Sequence, residues 1–183
     1  MREISLHILD IVQNSISANA SLIEVSVYES SEKDEFTVKI TDNGKGMSEE
    51  LVKKVIDPFT TSRTTRKVGL GIPLFKTAAE LTGGSFHIDS VSGKGTVVTA
   101  VFVRSSIDRQ PLGDIEGTML GLFTSHENID FVYTHEVDGK VFKTDTRELK
   151  EILGGVSLSE PEVYLWLTGY FKEGEREILN QSI

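Results

Sequence analysis

The sequence predicts a mixed α/β fold of the α+β kind. Three observations carry that expectation: an amphipathic helix at the N-terminus, a pair of alternating strands directly after it, and a later helix followed by two more strands. Residues 3 to 20, EISLHILDIVQNSISANA, place Ile4, Ile8, Ile11, Val12 and Ile16 at the spacing of one helix face. IEVSV (23 to 27) and FTVKI (36 to 40) alternate apolar and polar residues around the charged link SSEKDE, the pattern of an antiparallel strand pair. SEELVKKVID reads as a short helix capped by Ser48. DPFTTSRTTRKVGLG has no period of 2 or 3.6 and reads as a loop. Pro73 suits the first turn of a helix with the body LFKTAAELT, stopped by Gly83-Gly84. SFHID and TVVTAVFV then bracket an SGKG turn and complete a unit near Val103.

Past Arg104 the character changes, and QPLGD marks a joint. The expected division is therefore 1–103 and 104–183. The second part reads as a helix near 114 to 126, then a hairpin from Phe131 to Lys143 turning at Asp138-Gly139. A helix from Asp145 to Leu153 follows, with Asp145 and Glu148 at capping-box spacing. A last helix opens at Pro161 and is expected to be interrupted by Gly169 and Gly174. It gathers Tyr164, Trp166, Leu167, Tyr170 and Phe171, either as core against the hairpin or as an exposed partner surface.

Composition narrows the function classes. The chain has 183 residues and no cysteine, which excludes disulfides and thiolate metal sites. No stretch approaches the roughly 18 apolar residues of a membrane span, so a cytoplasmic protein without a membrane partner is expected. The net charge of −9 argues against nucleic acid as a partner, because phosphate backbones are held by clustered Lys and Arg. Of that charge −7 comes from Arg104 onward, where 15 acidic residues face 8 basic ones, so a partner docking on the tail is expected to be basic.

Three clusters could carry chemistry. His7, Asp10, Asn14 and Ser17 fall three or four apart on the N-terminal helix and form one polar line. A solvated face is the plain reading. The alternative is chemical: an Asn carbonyl oxygen suits Mg²⁺, which takes few protein ligands beside water and substrate phosphates. Asp10, one turn before Asn14, would reach a hydroxyl held beside the metal as a general base. His7 reads as a surface histidine or as a pH-sensitive neighbour of the site. Gly69-Leu70-Gly71, at the start of a helix, offers backbone N–H groups at the positive end of a helix dipole. Arg63, Arg66 and Lys67 just before it add cations to a loop able to close over a triphosphate as a lid. No GxxxxGK[ST] loop is present, and no GxGxxG follows a strand.

DNGKGM (42 to 47) is the third cluster. A carboxylate only accepts at neutral pH, and adenine offers an amino group where guanine offers an oxygen, so Asp42 in a pocket would select adenine. Losing such a contact costs roughly 1–3 kcal/mol. Gly44 and Gly46 would let the backbone pass close to the base, and Thr96, after Gly93 and Gly95, would bring a hydroxyl to the same pocket.

Taken in order, these blocks resemble the GHKL superfamily, which includes gyrase, Hsp90, MutL and the catalytic domains of histidine kinases. DIVQNSISANA is similar to the N box, DNGKGM to the G1 box, DPFTTSR to the F box, VGLGI to the G2 box and GKGT to the G3 box. The resemblance covers about residues 3 to 103 and implies the Bergerat two-layer α/β sandwich, with a mixed, mostly antiparallel sheet and helices on one face. It implies Mg-ATP as ligand, with Asn14 on the metal, Asp42 and Gly46 at adenine, Thr96 near the base through water, and Gly69 and Gly71 at the phosphates. The implied nucleotide-binding set also takes in Gly44, Met47, Phe59, Arg63, Arg66, Lys67 and Leu70.

Within the superfamily the short loop from Phe59 to Gly69 resembles the kinase branch, and PFTTSR resembles the F box of histidine kinases. The carboxylate four residues before the N-box Asn resembles the glutamate of anti-sigma factor serine kinases. Two positions depart from the pattern: Asp10 stands where Glu is more frequent, and Lys67 where a first glycine is common. The whole chain, including IDFVYTH and DTRELKEIL, also resembles stand-alone ATP-binding proteins of anaerobic bacteria. Because the N box starts almost at Met1, no phosphoacceptor domain is expected before it, and the acceptor is expected on a separate protein. The expected activity is a kinase using ATP and Mg²⁺. The alternative is an ATP-dependent switch or weak ATPase that regulates a partner by binding. A homodimer is the alternative assembly.

Overall fold

The computed structural model describes residues 2–57, 59 and 69–180. The elements are α1 (Ile4–Ser17), β1 (Leu22–Ser30), β2 (Glu35–Asp42), α2 (Glu49–Ile56), α3 (Gly71–Leu81), β3 (Ser85–Val91) and β4 (Gly95–Val103). The remainder is α4 (Ile115–Ser125), β5 (Asp130–Val137), β6 (Lys140–Asp145), α5 (Thr146–Leu153) and α6 (Pro161–Leu179). One six-stranded sheet runs β3-β4-β2-β1-β5-β6, antiparallel at every pairing except β1 with β5.

The period-2 alternation of the strands sorts their side chains onto two faces. Ile23, Val25 and Val27 of β1 share one face with Phe36, Val38 and Ile40 of β2, Val98, Ala100 and Phe102 of β4, and Phe131 and Tyr133 of β5, all buried. Helices cover that side. Phe75 of α3 packs on Phe86 and Phe102, Phe123 of α4 on Phe131, and Phe171 of α6 on Tyr133 and Phe142. The opposite face leaves Glu24, Lys39, His87 and Asp89 exposed, so the fold is a two-layer sandwich.

The apolar face of α1 is buried as its spacing predicts, with Ile4, Ile8, Ile11 and Val12 in the core. Its first turn has no side-chain cap; the N–H groups of Ile4 and Ser5 instead donate to the carbonyls of Pro111 and Leu112 at 2.9 and 2.8 Å. The QPLGD stretch thus caps the N-terminal helix. Ser48 caps α2 through Leu51, as expected. Asp145 caps α5, but through the N–H of Arg147, whose guanidinium also forks onto the carboxylate. The expected reciprocal partner, Glu148, is not the one the cap engages.

The last helix departs from expectation more plainly. α6 runs unbroken through Gly169 and Gly174. A glycine costs about 1 kcal/mol in a helix interior, less than the buried face of Leu167, Phe171 and Ile178 returns. Gly174 is a close approach rather than a break, since a Cβ there would collide with the Phe142 ring. These tail residues divide between the two expected roles: Leu167 and Phe171 are core, while Tyr164, Trp166 and Tyr170 reach the surface.

A buried polar chain ties α6 to the sheet. His135 of β5 lies between Glu175 of α6 (Nδ1 to Oε2, 2.7 Å) and Glu29 of β1 (Nε2 to Oε1, 3.1 Å). The Tyr133 hydroxyl donates to Glu175 at 2.8 Å, and Arg104 donates to Glu29 at 3.2 Å. Burial opposes a charge on His135, but the hydrogen bonds and field of the two carboxylates outweigh it and push its pKa up to about 9. An open cavity of about 370 Å³ beside this chain is lined by Glu29, His135, Glu175 and the start of α4. It lies near the N-terminal end of α1, where Glu3 faces Gly113 and Asp114, and not where the sequence-predicted site residues converge.

Candidate functional site

The strand register brings separate stretches into one row. Ser90 of β3 pairs with Thr96 of β4, Thr96 with Asp42 of β2, and Asp42 with Ile23 of β1. Directly opposed residues of antiparallel strands point to the same face, here the helix-covered one, so Ser90, Thr96 and Asp42 form a polar end to that side. The Ser90 and Thr96 hydroxyls lie 2.8 Å apart, and Ser90 Oγ accepts from the Met47 N–H at 2.8 Å.

Asp42 is held from two sides. Ser15, buried on α1, donates its hydroxyl to Oδ2 at 2.6 Å, and the Gly44 N–H donates to Oδ1 at 2.8 Å. A carboxylate offers about four acceptor positions, so two bonds orient it while leaving capacity for a further donor. DNGKGM is no hairpin: Asn43 Oδ1 accepts from the N–H groups of Ser21 and Leu22, and the Lys45 N–H donates to the Ala18 carbonyl. The loop is thereby stitched to the C-terminal end of α1.

The glycines here have close protein neighbours. A Cβ on Gly44 would stand 2.8 Å from the Ala18 carbonyl. Gly46 has φ +66 and its Cβ would run into the Val91 carbonyl, while Gly95 has φ +127 and would run into the carbonyl of Asp42 itself. Gly44 and Gly46 let the loop close on α1 and on the β3–β4 turn.

On α1 the polar line divides. Asp10 and Asn14 are half-buried, Ser17 is exposed, and His7 is buried. The surface reading of His7 is therefore wrong. Its ring stacks on Phe75 (5.1 Å, 9°), Nε2 meets the Gln110 side chain at 3.0 Å, and Nδ1 has no hydrogen-bond partner among the described residues. Burial lowers its pKa, against the opposing pull of Gln110 and Asp10. Asp10 and Asn14 make no side-chain hydrogen bond among the described residues, which leaves their oxygens available.

α3 begins beside Asp10. A Cβ on Gly71 would stand 3.0 Å from the Asp10 Cβ and 3.4 Å from its Oδ2, so a side chain here would crowd Asp10. Among the described residues no side chain caps this N-terminus, and Pro73 in its first turn has no N–H to satisfy. A helix start of this kind is suited to a phosphate. Gly69 and Leu70 are exposed, and Phe59, 95% exposed, has its N–H on Asp57 Oδ1 at 2.8 Å. Arg63, Arg66 and Lys67 lie outside the described residues.

The donor set fits a hard cation of the Mg²⁺ type. Among the described residues no three His, Cys, Asp or Glu side chains form a metal cage, while the half-buried Asn14 amide oxygen, with no hydrogen bond among the described residues, matches an ion that takes one or two protein ligands. Sequence reasoning did not find Ser15 and Ser90. Ser15 was legible only as the neighbour of Asn14, since a hydroxyl inside an apolar period carries no signal of its own.

Residues 2–106 match the family described as histidine kinase-, DNA gyrase B-, and HSP90-like ATPase. Sensor histidine kinase YvrG of Bacillus subtilis is 30% identical over 97 residues, covering 51% of this chain and 17% of the relative. Sporulation kinase D of the same organism is 40% identical over 62 residues, 34% of this chain and 12% of the relative. The chain thus spans less than a fifth of the length of these kinases. Among solved structures, the Aquifex aeolicus MutL ATPase domain complexed with ADP superposes with a TM-score of 0.50 at 14% identity, covering 84% of this chain and 70% of that one. The N-terminal domain of a DNA repair protein gives 0.53 at 17%, covering 79% and 52%. At such identities the superpositions show the fold.

Proposed function

The chain belongs to the family of histidine kinase-, DNA gyrase B- and HSP90-like ATPases, and from that membership we propose that it binds Mg-ATP at the Asp42 corner and passes the γ-phosphate to a separate protein. The observation that carries this reading is the doubly held Asp42 carboxylate in one sheet row with Thr96 and Ser90, on a fold whose α3 starts against Asp10. Asp42 accepts from the adenine amino group, and Thr96 and Ser90 supply hydroxyls beside it. The first N–H groups of α3 and the exposed Gly69 backbone take the phosphates, with Arg63, Arg66 and Lys67 as the closing cations.

Asn14 offers its amide oxygen to Mg²⁺, which when bound neutralises phosphate charge. Asp10, against the start of α3, takes the proton of an attacking hydroxyl as the oxygen bonds to the γ-phosphorus and the bond to the leaving ADP oxygen breaks. With an imidazole as acceptor, no base is required. Residues 104–183 serve as the interaction module in this reading.

A second reading is favoured by the bonds from Ile4 and Ser5 to Pro111 and Leu112. The helix that carries Asn14 is anchored at its other end to the chain leading into the C-terminal part, so nucleotide binding would bias that part as a switch, with weak hydrolysis.

Incubation with γ-labelled ATP, Mg²⁺ and a lysate of the source organism separates the two. Label on a partner supports the kinase, whereas released phosphate or neither supports the switch. Asp10→Asn should abolish transfer while sparing ATP binding, and Asn14→Ala should weaken Mg-dependent binding. Calorimetry that finds no heat from ATP or ADP with Mg²⁺ sinks both readings.

A further inference from the structure

We propose that the outward stripe of α6, made of Glu162, Trp166, Tyr170, Glu173 and Glu177, is a docking surface for a basic peptide segment of a partner protein. The residues are spaced four, four, three and four apart, which lines them along one side of a helix. The Trp166 and Tyr170 rings stack at 5.4 Å and 11°, yet are 52% and 36% exposed. Tyr170 rests edge-on against buried Phe142 at 5.5 Å, so the ladder is supported from beneath while its outer faces stay open. Glu162, Glu173 and Glu177 are all exposed. Gly169, beside the ladder, has nothing within 4 Å of a Cβ position, which keeps the flank uncovered.

Two aromatic π faces among three carboxylates are the chemistry that recognises guanidinium and ammonium groups. The chain does not fill that demand among its described residues. The cation–π contacts present pair Lys33 with Tyr28 and Arg109 with Phe36, far from this stripe. The helix's own cations lie on another flank: Lys172 and Arg176 are rotated by roughly 120° and 80° from Trp166 at about 100° per residue, and Lys172 acts on Glu116 of α4.

The occupant is a basic partner rather than a second copy, because two identical stripes would place glutamates against glutamates. The net −7 of residues 104–183 steers the same class of partner. This surface deepens the proposed function by giving the partner a chemical class, but it does not require ATP to bind.

Trp166 is the only tryptophan, so its fluorescence reports on the stripe alone. The full chain is titrated with a Lys/Arg-rich peptide of about 12 residues and, separately, with a Glu-rich peptide of equal length, each with and without Mg-ATP. The expected result is a saturable change with the basic peptide only, present without nucleotide. Glu162→Gln with Glu173→Gln, and separately Tyr170→Ala, should each weaken it at least tenfold. Glu32→Gln with Glu49→Gln, removing two exposed charges elsewhere, should leave it unchanged. No response to the basic peptide, equal weakening by the remote pair, or a concentration-dependent shift to dimer in sedimentation that the stripe variants abolish would overturn the proposal. A positive titration alongside absent ATP binding would leave this surface standing and remove the nucleotide reading.

Discussion

The hydroxyl of Ser15 lies 2.6 Å from Oδ2 of Asp42, joining the buried side of α1 to the last residue of β2. That bond and the Gly44 N–H fix the plane of a carboxylate that otherwise rotates freely about χ2. Ser15→Ala should therefore weaken ATP binding by about tenfold, on the order of 1–1.5 kcal/mol for one hydrogen bond to a charged acceptor, while the far-ultraviolet circular dichroism stays unchanged. Unaltered affinity by titration calorimetry would show that Asp42 needs no such support.

Gly95 and Gly93 share a turn but not a constraint. Gly95 has φ +127 and faces the Asp42 carbonyl, whereas Gly93 has φ +81 and faces open space. Gly93→Ala should cost about 1 kcal/mol, the left-handed penalty alone. Gly95→Ala should cost well over 2 kcal/mol, because β4 would have to leave the Asp42 row. Chemical denaturation of both variants tests the contrast, and equal losses would contradict it.

His135 makes stability depend on alkaline pH. Its pKa is raised in the folded protein to about 9 by Glu29 and Glu175, with Arg104, Tyr133 and Glu116 as the other ionisable groups around the chain. The contribution is full below the unfolded value near 6.5 and is lost as pH rises through about 9. It is on the order of 3 kcal/mol. Urea midpoints should fall between pH 7 and 9.5, and His135→Gln should flatten that decline while lowering stability at pH 7. A variant with the same slope as the parent would refute the assignment.

His7 has the opposite sign. Burial against Phe75 depresses its pKa, so the unfolded chain binds the proton more readily, and stability from this group is lost as pH falls through about 6.5. His7→Phe keeps a stacking ring and removes the unpartnered Nδ1. Relative to the parent, its urea midpoint should rise as pH drops from 7.5 to 5.5. A difference independent of pH would mean that His7 does not titrate in that range.

Much of the site was written locally. Asp10, Asn14 and Asp42 stand out because acidic and amide residues are poor helix or strand formers, so their positions ask for a reason. His7 was misread because a helix face can be polar in sequence and still be roofed: α3 crosses over it, and that crossing depends on Gly71 meeting Asp10 many residues away. α6 was expected to break because propensity is local, while its burial against Phe142 and Phe123 is not.

By itself the sequence determined most of the elements, the order of the five blocks and the acidic tail, since periodicity, caps and turn residues act within a few positions of one another. Only the tertiary structure decided that Ser15 and Ser90 join Asp42, that Glu29, His135 and Glu175 form one chain across separations of 106 and 40 residues, and that the Trp166 ladder faces outward. Those outcomes depend on strand register and on which helix covers which face, and such long-range choices leave no local pattern in the residues they bring together.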